Sequence, residues 1–389
     1  MNVLFIATYE GLSGASYSLI GMINELKKRN VNPLVVTLKH GKIENLLSQN
    51  EIPHITVRGY PWVIAIEKKN SIRPKVLWQI KKLINYFAEI RIGKILAENQ
   101  IDVVHINTAT AGVGFRAAKK LGIPVIWHLR EFVEEDLKKT FWNEKRSLHS
   151  IKNASCVIAI SESVKEKFSA RIKMKNIKLI YNGVPFENFN SERQYDIFAE
   201  PTIRIIIAGR IDPGKGHREV INAIYRIIKN GETNIRLNIA GTTQYPEYEQ
   251  ELREMVHIYK LEEYVKFLGY RNDIPELFMA SDIVLVASKA EAFGRVTVEA
   301  MMSGALVIGA DTAGTKELIG EDYGLLYEQG NAESLAETIS FSIENKDEMR
   351  TIAHRARIHA KDMFTARENA RKVHEIYTRI LAEKTGSLN

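Results

Sequence analysis

Short β-branched runs alternate with stretches of helical periodicity twice along this chain, and that alternation restricts the fold more than any other feature. In the first series, strand-like runs at 3–7, 33–38, 103–106, 125–127 and 157–160 are interleaved with helical patterns at 15–30, 112–121 and 162–170. The second series begins after the turn-rich segment "YNGVPFENFNSERQYDIFAEP" and places strands at 203–208, 235–240, 265–268, 283–287 and 306–309. Helical patterns at 218–229, 248–259, 274–280 and 296–303 fall between them. A strand followed by a helix and another strand is the signature of a parallel βαβ unit. The prediction is therefore α/β: two tandem Rossmann-like, doubly wound parallel-sheet domains, 1–185 and 200–364. From 332 to about 381 the pattern is helical and charged, and the last helix, about 365–389, is expected to pack back on the first domain. At 389 residues, 45% of them hydrophobic, the chain is long enough for two cores.

Composition removes several function classes. The single cysteine, Cys156, lies in the apolar run "SCVIAIS" and cannot build an intrachain disulfide or a zinc thiolate cluster, so it reads as a buried structural thiol. The start "MNVLFIATYEGLSG" lacks the basic and long apolar regions of a secretion signal and reads as a first strand. No run approaches the ~20 apolar residues of a membrane span. The expectation is a cytoplasmic protein, peripheral on the inner face of the membrane if it meets lipid. A net charge of +7 and a pI near 9.1 suit an anionic partner. The basic charge is spread through helices without an aromatic-interleaved patch, which argues against nucleic acid. The segment 67–100 sets Val76, Leu77, Ile80, Leu83, Ile84 and Phe87 at helical spacing among Lys75, Lys81 and Lys82. It reads first as a surface helix with its apolar stripe on the core, and second as a helix that seeks an anionic membrane surface.

Ligands of open parallel sheets bind beyond the carboxyl ends of strands. After the first strand of the second domain, "IIIAGRIDPGKGHREVI" puts Gly209, Arg210, Lys215 and Gly216 between strand and helix, a place that favours phosphate. Gly209 to Lys215 fits half of a P-loop, but Gly216 stands where a hydroxyl would have to hold magnesium. The loop reads as a metal-free cradle in which Arg210 offers a planar fork and Lys215 a point charge.

In "SDIVLVASKAEAFGRVTVEAMMSGALVIGAD", Glu291 falls on a loop and Glu299 on the following helix, which starts near Gly294 and is capped by Gly304. Backbone N–H groups near Gly294, Arg295 and Val296 would face an anion. Carboxylates on either side suit a ligand that carries hydroxyls next to phosphate, such as a sugar or a ribose. A retaining glycosidase would set its two carboxyls about 5 Å apart on either side of one glycosidic bond, a use that an anion-binding helix start between them argues against, and two solvated charges would also produce this spacing.

With both segments in view, the chain resembles the retaining glycosyltransferases of family 4, two-domain GT-B enzymes that use nucleotide-sugar donors. Glu291 to Glu299 is similar to the family's E-x7-E signature, "GRIDPGKG" to its G-R-x4-K-G element, "FLGYRNDIPELFMASDIVLVAS" to its base-binding loop and next strand, and "IYNGVPFENF" to the end of its first domain. Ala287 stands where proline is common. The resemblance implies two domains facing across a cleft, with Arg210, Lys215, Gly14 and the backbone at Val296 on the donor diphosphate. It implies Glu291, Phe293, Gly294 and Arg295 at the donor sugar, Glu299 at the ribose, and Tyr270, Arg271 and Ile274 around the base. Developing charge on a departing diphosphate is stabilised by such preorganised cations and helix-end donors. No metal or cofactor is implied, and the chain has no D-x-D triplet. The nucleotide sugar is a co-substrate, a UDP-sugar ahead of a GDP-sugar.

In the first domain, "ATYEGLSGASYSLIGMINEL" lacks the G-x-G-x-x-G spacing of a dinucleotide fold, and the second strand ends in Lys39 and His40, so hydride transfer is disfavoured. The resemblance sets His128 in the cleft near the reacting sugar, as a catalytic candidate beside Glu291. Arg130, Glu131 and His105 are candidates for acceptor contacts, Ser161 for a helix N-cap, and Asn182 and Gly183 for an interdomain turn. Segments 59–70 and 130–142 are the candidate acceptor loops. The expected activity is hexosyl transfer to a sugar, glycolipid or other glycan in bacterial cell-surface polysaccharide or glycolipid biosynthesis. The alternatives are an epimerase-like GT-B enzyme that transfers nothing, and an inactive sugar-nucleotide-binding protein.

Overall fold

A computed structural model describes residues 1–8, 11–174, 176–189, 193, 196–384 and 386 in full, with the backbone of 385. Tyr9 and Glu10 of the first strand-end loop, and much of the turn-rich segment at 190–195, lie outside the described residues. The chain divides into two compact units, Met1–Gly183 with Ala366–Asn389, and Val184–Thr365.

The first unit contains β1 (Asn2–Ala7), α1 (Gly14–Lys27), β2 (Asn32–Thr37), α2 (Lys42–Gln49), β3 (His54–Thr56), β4 (Val63–Ala65), α3 (Ile72–Glu98), β5 (Val103–Ile106), α4 (Phe115–Lys120), β6 (Val125–Leu129), β7 (Lys139–Phe141), α5 (Glu144–Lys152), β8 (Cys156–Ala159), α6 (Glu162–Ile172) and β9 (Lys178–Leu179). Its seven-stranded sheet runs β3-β2-β1-β5-β6-β8-β9, all parallel. Strands buried on both faces need continuous apolar runs, and β1, β5, β6 and β8 are buried along almost their whole length. Ser161 caps α6 by accepting the Val164 N–H at 3.2 Å.

The second unit contains β10 (Ile203–Ala208), α7 (His217–Lys229), β11 (Ile235–Ala240), α8 (Pro246–Ile258), β12 (Val265–Gly269), α9 (Ile274–Met279), β13 (Ile283–Val286), α10 (Arg295–Ser303), β14 (Leu306–Ala310), α11 (Ala313–Ile319), β15 (Leu325–Tyr327), α12 (Ala332–Glu344) and α13 (Lys346–Met363). Its parallel sheet is ordered β12-β11-β10-β13-β14-β15. The last helix, α14 (Ala366–Thr385), belongs to the first unit, where Val373, Ile376 and Tyr377 share a core with Leu19 and Ile23 of α1.

The strand orders locate the ligand ends. From β10 the chain adds β11 and β12 on one side and then returns to place β13 on the other. The crevice at such a reversal is where an open α/β sheet binds ligands. The loops leaving β10 and β13 carry Lys215 and Glu291, and in the first unit the equivalent reversal lies between β1 and β5.

The long helix α3 corrects one expectation. Its buried residues are Ala88, Ile92, Ile95 and Leu96, whereas Val76, Leu77, Ile80, Leu83 and Phe87 are 46–60% exposed. The apolar stripe is uncovered, because only the C-terminal third of α3 reaches the core. The two candidate acceptor loops also join: β4 pairs with β7 in an antiparallel ribbon with Val63 opposite Phe141.

Among the described residues, no helix is long and apolar enough to cross a membrane.

Candidate functional site

In the second unit, three loops at the carboxyl edge of the sheet are tied together. The Lys289 N–H donates to the Gly214 carbonyl at 2.9 Å, and the Gly314 N–H donates to the Glu291 carbonyl at 3.0 Å. The Lys215 ammonium reaches Glu291 Oε1 at 2.5 Å and Ser288 Oγ at 3.2 Å. Gly216 makes this approach feasible. Its φ is +75°, and a Cβ there would stand 2.2 Å from the Ala287 carbonyl oxygen, so only glycine lets the loop after β10 lie against the end of β13. Ala287, the departure from the family pattern, is the residue that Gly216 packs upon.

Glu299 is bonded to a different cation, with Arg295 Nε donating to its Oε1 at 2.7 Å along one face of α10. Burial pushes the Glu299 carboxyl above its usual range, and Arg295 opposes the shift. The two glutamates therefore hold separate cations. Gly294 caps α10 at its N-terminus and Gly304 at its C-terminus. The first-turn N–H groups around Val296 have no carbonyl one turn back within the helix. Of the residues expected at the donor, the structure brings Lys215 against Glu291, together with Ser288, on the loop that leads into α10.

Other predicted residues are arranged differently. Arg210 is 65% exposed on its side chain and lies 3.5 Å from Asp212. Phe293 is buried, with its ring edge-on to Phe364 at 6.1 Å, so its aromatic face serves the core. Tyr270 is 76% exposed, Arg271 Nε donates to Asp273 at 2.7 Å, and Ile274 is the first residue of α9. Gly14 opens α1 behind the N-cap Ser13.

Sequence reasoning passed over His217, the first residue of α7. It is 1% exposed, and neither imidazole nitrogen meets a partner among the described residues at hydrogen-bond geometry. Burial pulls its pKa down to about 4, against the Asp212 carboxylate and carbonyl, which favour the charged form. Its place beside "GKG" was the only signal available.

In the first unit the two histidines form one buried chain. The Tyr377 hydroxyl lies 2.7 Å from His105 Nδ1, and His105 Nε2 lies 3.1 Å from His128 Nδ1. Arg130 Nη2 also approaches His128 Nδ1, at 3.3 Å. A guanidinium can only donate, so Nδ1 of His128 is the acceptor and its proton belongs on Nε2. Tyr377 donates to His105 in the same sense. Burial and the Arg130 charge hold both imidazoles well below the ordinary histidine range, so they are neutral. His128 Nε2 is buried and without a partner among the described residues.

Arg130 and Glu131 are spent inside the protein. Arg130 Nε donates to Asn107 at 2.7 Å, and its Nη1 donates to Asn182. Glu131 accepts from the Thr108 hydroxyl, the Ala109 N–H at 3.1 Å and the Arg130 N–H at 3.1 Å. Burial lifts its pKa to about 7. With exposures of 0%, 5% and 8%, His105, Arg130 and Glu131 offer little surface to an acceptor, and the first two contact His128 directly.

Residues 188–359 match the family described as glycosyl transferases group 1, and residues 12–188 match glycosyltransferase family 4. A 41.2 kDa protein of the cps region of Klebsiella pneumoniae is 28% identical over 354 residues, covering 83% of this chain and 94% of that one. The N-acetylgalactosamine-N,N'-diacetylbacillosaminyl-diphospho-undecaprenol 4-alpha-N-acetylgalactosaminyltransferase of Campylobacter jejuni is 30% identical over 203 residues, 51% of this chain and 53% of the relative. Among solved structures, HepE of Anabaena in complex with UDP superposes with a TM-score of 0.80 at 26% identity, covering 97% of this chain and all of that one.

Proposed function

The chain belongs to the family 4 glycosyltransferases of GT-B fold, and from that premise we propose that it moves a hexose, with retention, from a UDP-sugar to a glycan acceptor linked to lipid phosphate. The observation that carries the reading is the Lys215–Glu291–Ser288 contact beside the start of α10. It sets a cation, a carboxylate and helix-end N–H groups on two adjacent strand ends, which is the polarity a sugar diphosphate requires.

In this reading Lys215 and Arg210 take the diphosphate, with the Val296 N–H and the backbone at Gly14 completing the cradle. Glu291 and the backbone of Phe293, Gly294 and Arg295 hold the sugar, Glu299 the ribose, and the segment from Tyr270 to Ile274 the base. As the anomeric bond breaks, negative charge grows on the diphosphate and meets fixed positive groups, so no metal is needed to carry it. His128 Nε2–H donates to a sugar hydroxyl, Arg130 and His105 hold His128 in place, and Glu131 braces the Arg130 backbone. HepE has been solved with UDP-glucose, which supports the donor class, and the name of the Campylobacter relative supports a lipid-diphosphate acceptor. The uncovered stripe of α3, flanked by Lys75, Lys81 and Lys82, supports docking of the first unit to an anionic membrane at the inner face.

The test supplies UDP-, GDP- and ADP-sugars with a lipid-phosphate glycan acceptor and follows transfer and product anomeric configuration by NMR. UDP-sugar turnover with retained configuration is expected. Equal turnover of all three nucleotides, or an inverted product, would count against the proposal.

A further inference from the structure

All four tryptophans of the chain meet in the first unit. Trp62 stacks on Trp127 with ring centroids 5.4 Å apart, and Trp78 stacks on Trp142 at 5.1 Å. Trp62 and Trp127 are pinned through their indole N–H groups, each 2.8 Å from a carbonyl, Ala109 and Thr108 respectively. Gly112 is required beneath them, since a Cβ there would lie 2.2 Å from the Trp62 ring. The platform opens onto a cavity of about 860 Å³ between α3, α4 and α5, within the ~300–1,000 Å³ range of small-molecule sites.

Its apolar wall includes Trp62, Trp78, Tyr86, Ile90, Phe115 and Leu121. Five cations also line it: Lys82, Lys94, Arg116, Lys120 and Arg146. None pairs with a carboxylate within 4 Å among the described residues. The only acid on the wall, Glu89, accepts the Ala117 N–H at 2.9 Å and braces α3 against α4. The exposed stripe of α3 runs through Val76, Ile80, Leu83 and Phe87 to Ile90, which is itself cavity wall.

We infer that this cavity holds the hydrocarbon chain of a phosphate-bearing lipid, with the phosphate among the cations at its rim. Resting on the reading that the acceptor is lipid-linked, the lipid is the acceptor itself. An apolar slot with unpaired positive charge and one occupied acid is complementary to a single-chain amphiphile with an anionic head. The continuous apolar stripe lets such a chain pass from bilayer to cavity without exposing it to water.

The four tryptophans make occupancy visible in the intact protein. Farnesyl phosphate should change their emission saturably, farnesol should bind at least about tenfold more weakly for want of the charge-assisted contacts, and inorganic phosphate alone should leave emission unchanged. Gly93→Leu, which projects a side chain into the cavity from α3, should abolish the response, and Ala97→Phe at an exposed position gives a second blocked form. Arg116→Glu with Lys120→Glu should erase the preference for phosphate. UDP binding, measured in each variant, should be unaltered. Equal binding of farnesol and farnesyl phosphate, an undiminished response in both blocked forms, or a response to phosphatidylglycerol vesicles only would overturn the assignment. Transfer to a short-chain soluble acceptor without farnesyl phosphate binding would overturn the cavity and leave the transferase reading standing. Binding that persists in a protein unable to use any lipid acceptor would keep a lipid site but remove its identity as acceptor.

Discussion

Lys215 and Glu291 are 76 residues apart in sequence, yet the ammonium of one lies 2.5 Å from the carboxylate of the other, and this contact joins the loops that leave β10 and β13. A lysine held against a carboxylate is oriented before any ligand arrives. Lys215→Ala and Glu291→Ala should each lower kcat/KM for the donor by about 10²–10³, the usual scale for losing one preorganised electrostatic group. The double variant should lose much less than the product of the two, because either change already dissolves the contact. Steady-state transfer assays check this, and strictly multiplicative losses would show that the residues act independently.

Glu299 should affect binding more than rate. Its pair with Arg295 is an i,i+4 contact along α10, worth roughly 0.3–0.5 kcal/mol to the helix, so Glu299→Ala should fold normally. If the carboxylate holds ribose hydroxyls, UDP affinity should fall by about 1.5–3 kcal/mol, the scale of a hydrogen bond to a charged group. Calorimetric titration with UDP decides the matter. An affinity within experimental error of the native value would remove Glu299 from the ribose site.

His217 makes the second unit sensitive to acid. Its folded-state pKa, about 4, lies below the ordinary 6.5, so between those values the unfolded chain binds more protons than the folded one. The stability it contributes is present above about pH 6.5 and is lost as pH falls toward about 4, amounting to about 3 kcal/mol. Hydrogen exchange of α7 amides across that window should reveal the slope, and His217→Gln should flatten it. A native slope in the variant would assign the acid sensitivity to other groups.

Much of the second unit was legible because a parallel strand buried on both faces must be written as an unbroken apolar run, and the loop after it then stands out by contrast. The segments 203–208 and 235–240 coincide with β10 and β11 for this reason. Three-residue strands such as β4 and β7 were not legible, since their pairing is decided by tertiary contact and too short to show a period. The stripe on α3 is apolar, as its periodicity predicts, yet uncovered, because periodicity identifies a face but not its neighbour. The histidine chain was hidden more deeply still, as its anchor Tyr377 lies 272 residues from His105.

That anchor gives a fourth prediction. Tyr377→Phe keeps the ring in its core but removes the O–H that fixes the His105 tautomer, leaving a buried acceptor unpaired at a cost of about 1–3 kcal/mol. His105 can then turn its proton to Nδ1, and its Nε2 no longer donates to His128. Arg130 alone would orient His128. Transfer should slow in kcat with KM for the donor little changed, a split that simple destabilisation would not produce at a temperature where the variant is folded. Unaltered kcat, with only the melting temperature lowered, would reduce Tyr377 to a packing residue.

The stripe on α3 gives the fifth. Because Val76, Ile80, Leu83 and Phe87 touch no core, replacing all four with glutamine should change stability little, since exposed substitutions fall within about 0.5 kcal/mol each. Binding to vesicles should respond strongly, since the same side chains would lie at the acyl boundary while Lys75, Lys81 and Lys82 face anionic headgroups. Sedimentation with vesicles containing phosphatidylglycerol should capture the native chain at low salt, release part of it as salt rises, and fail to capture the glutamine variant. Capture that ignores lipid charge and salt would point to a purely apolar contact. Capture of the variant equal to the native chain would place the membrane-facing surface elsewhere on the first unit.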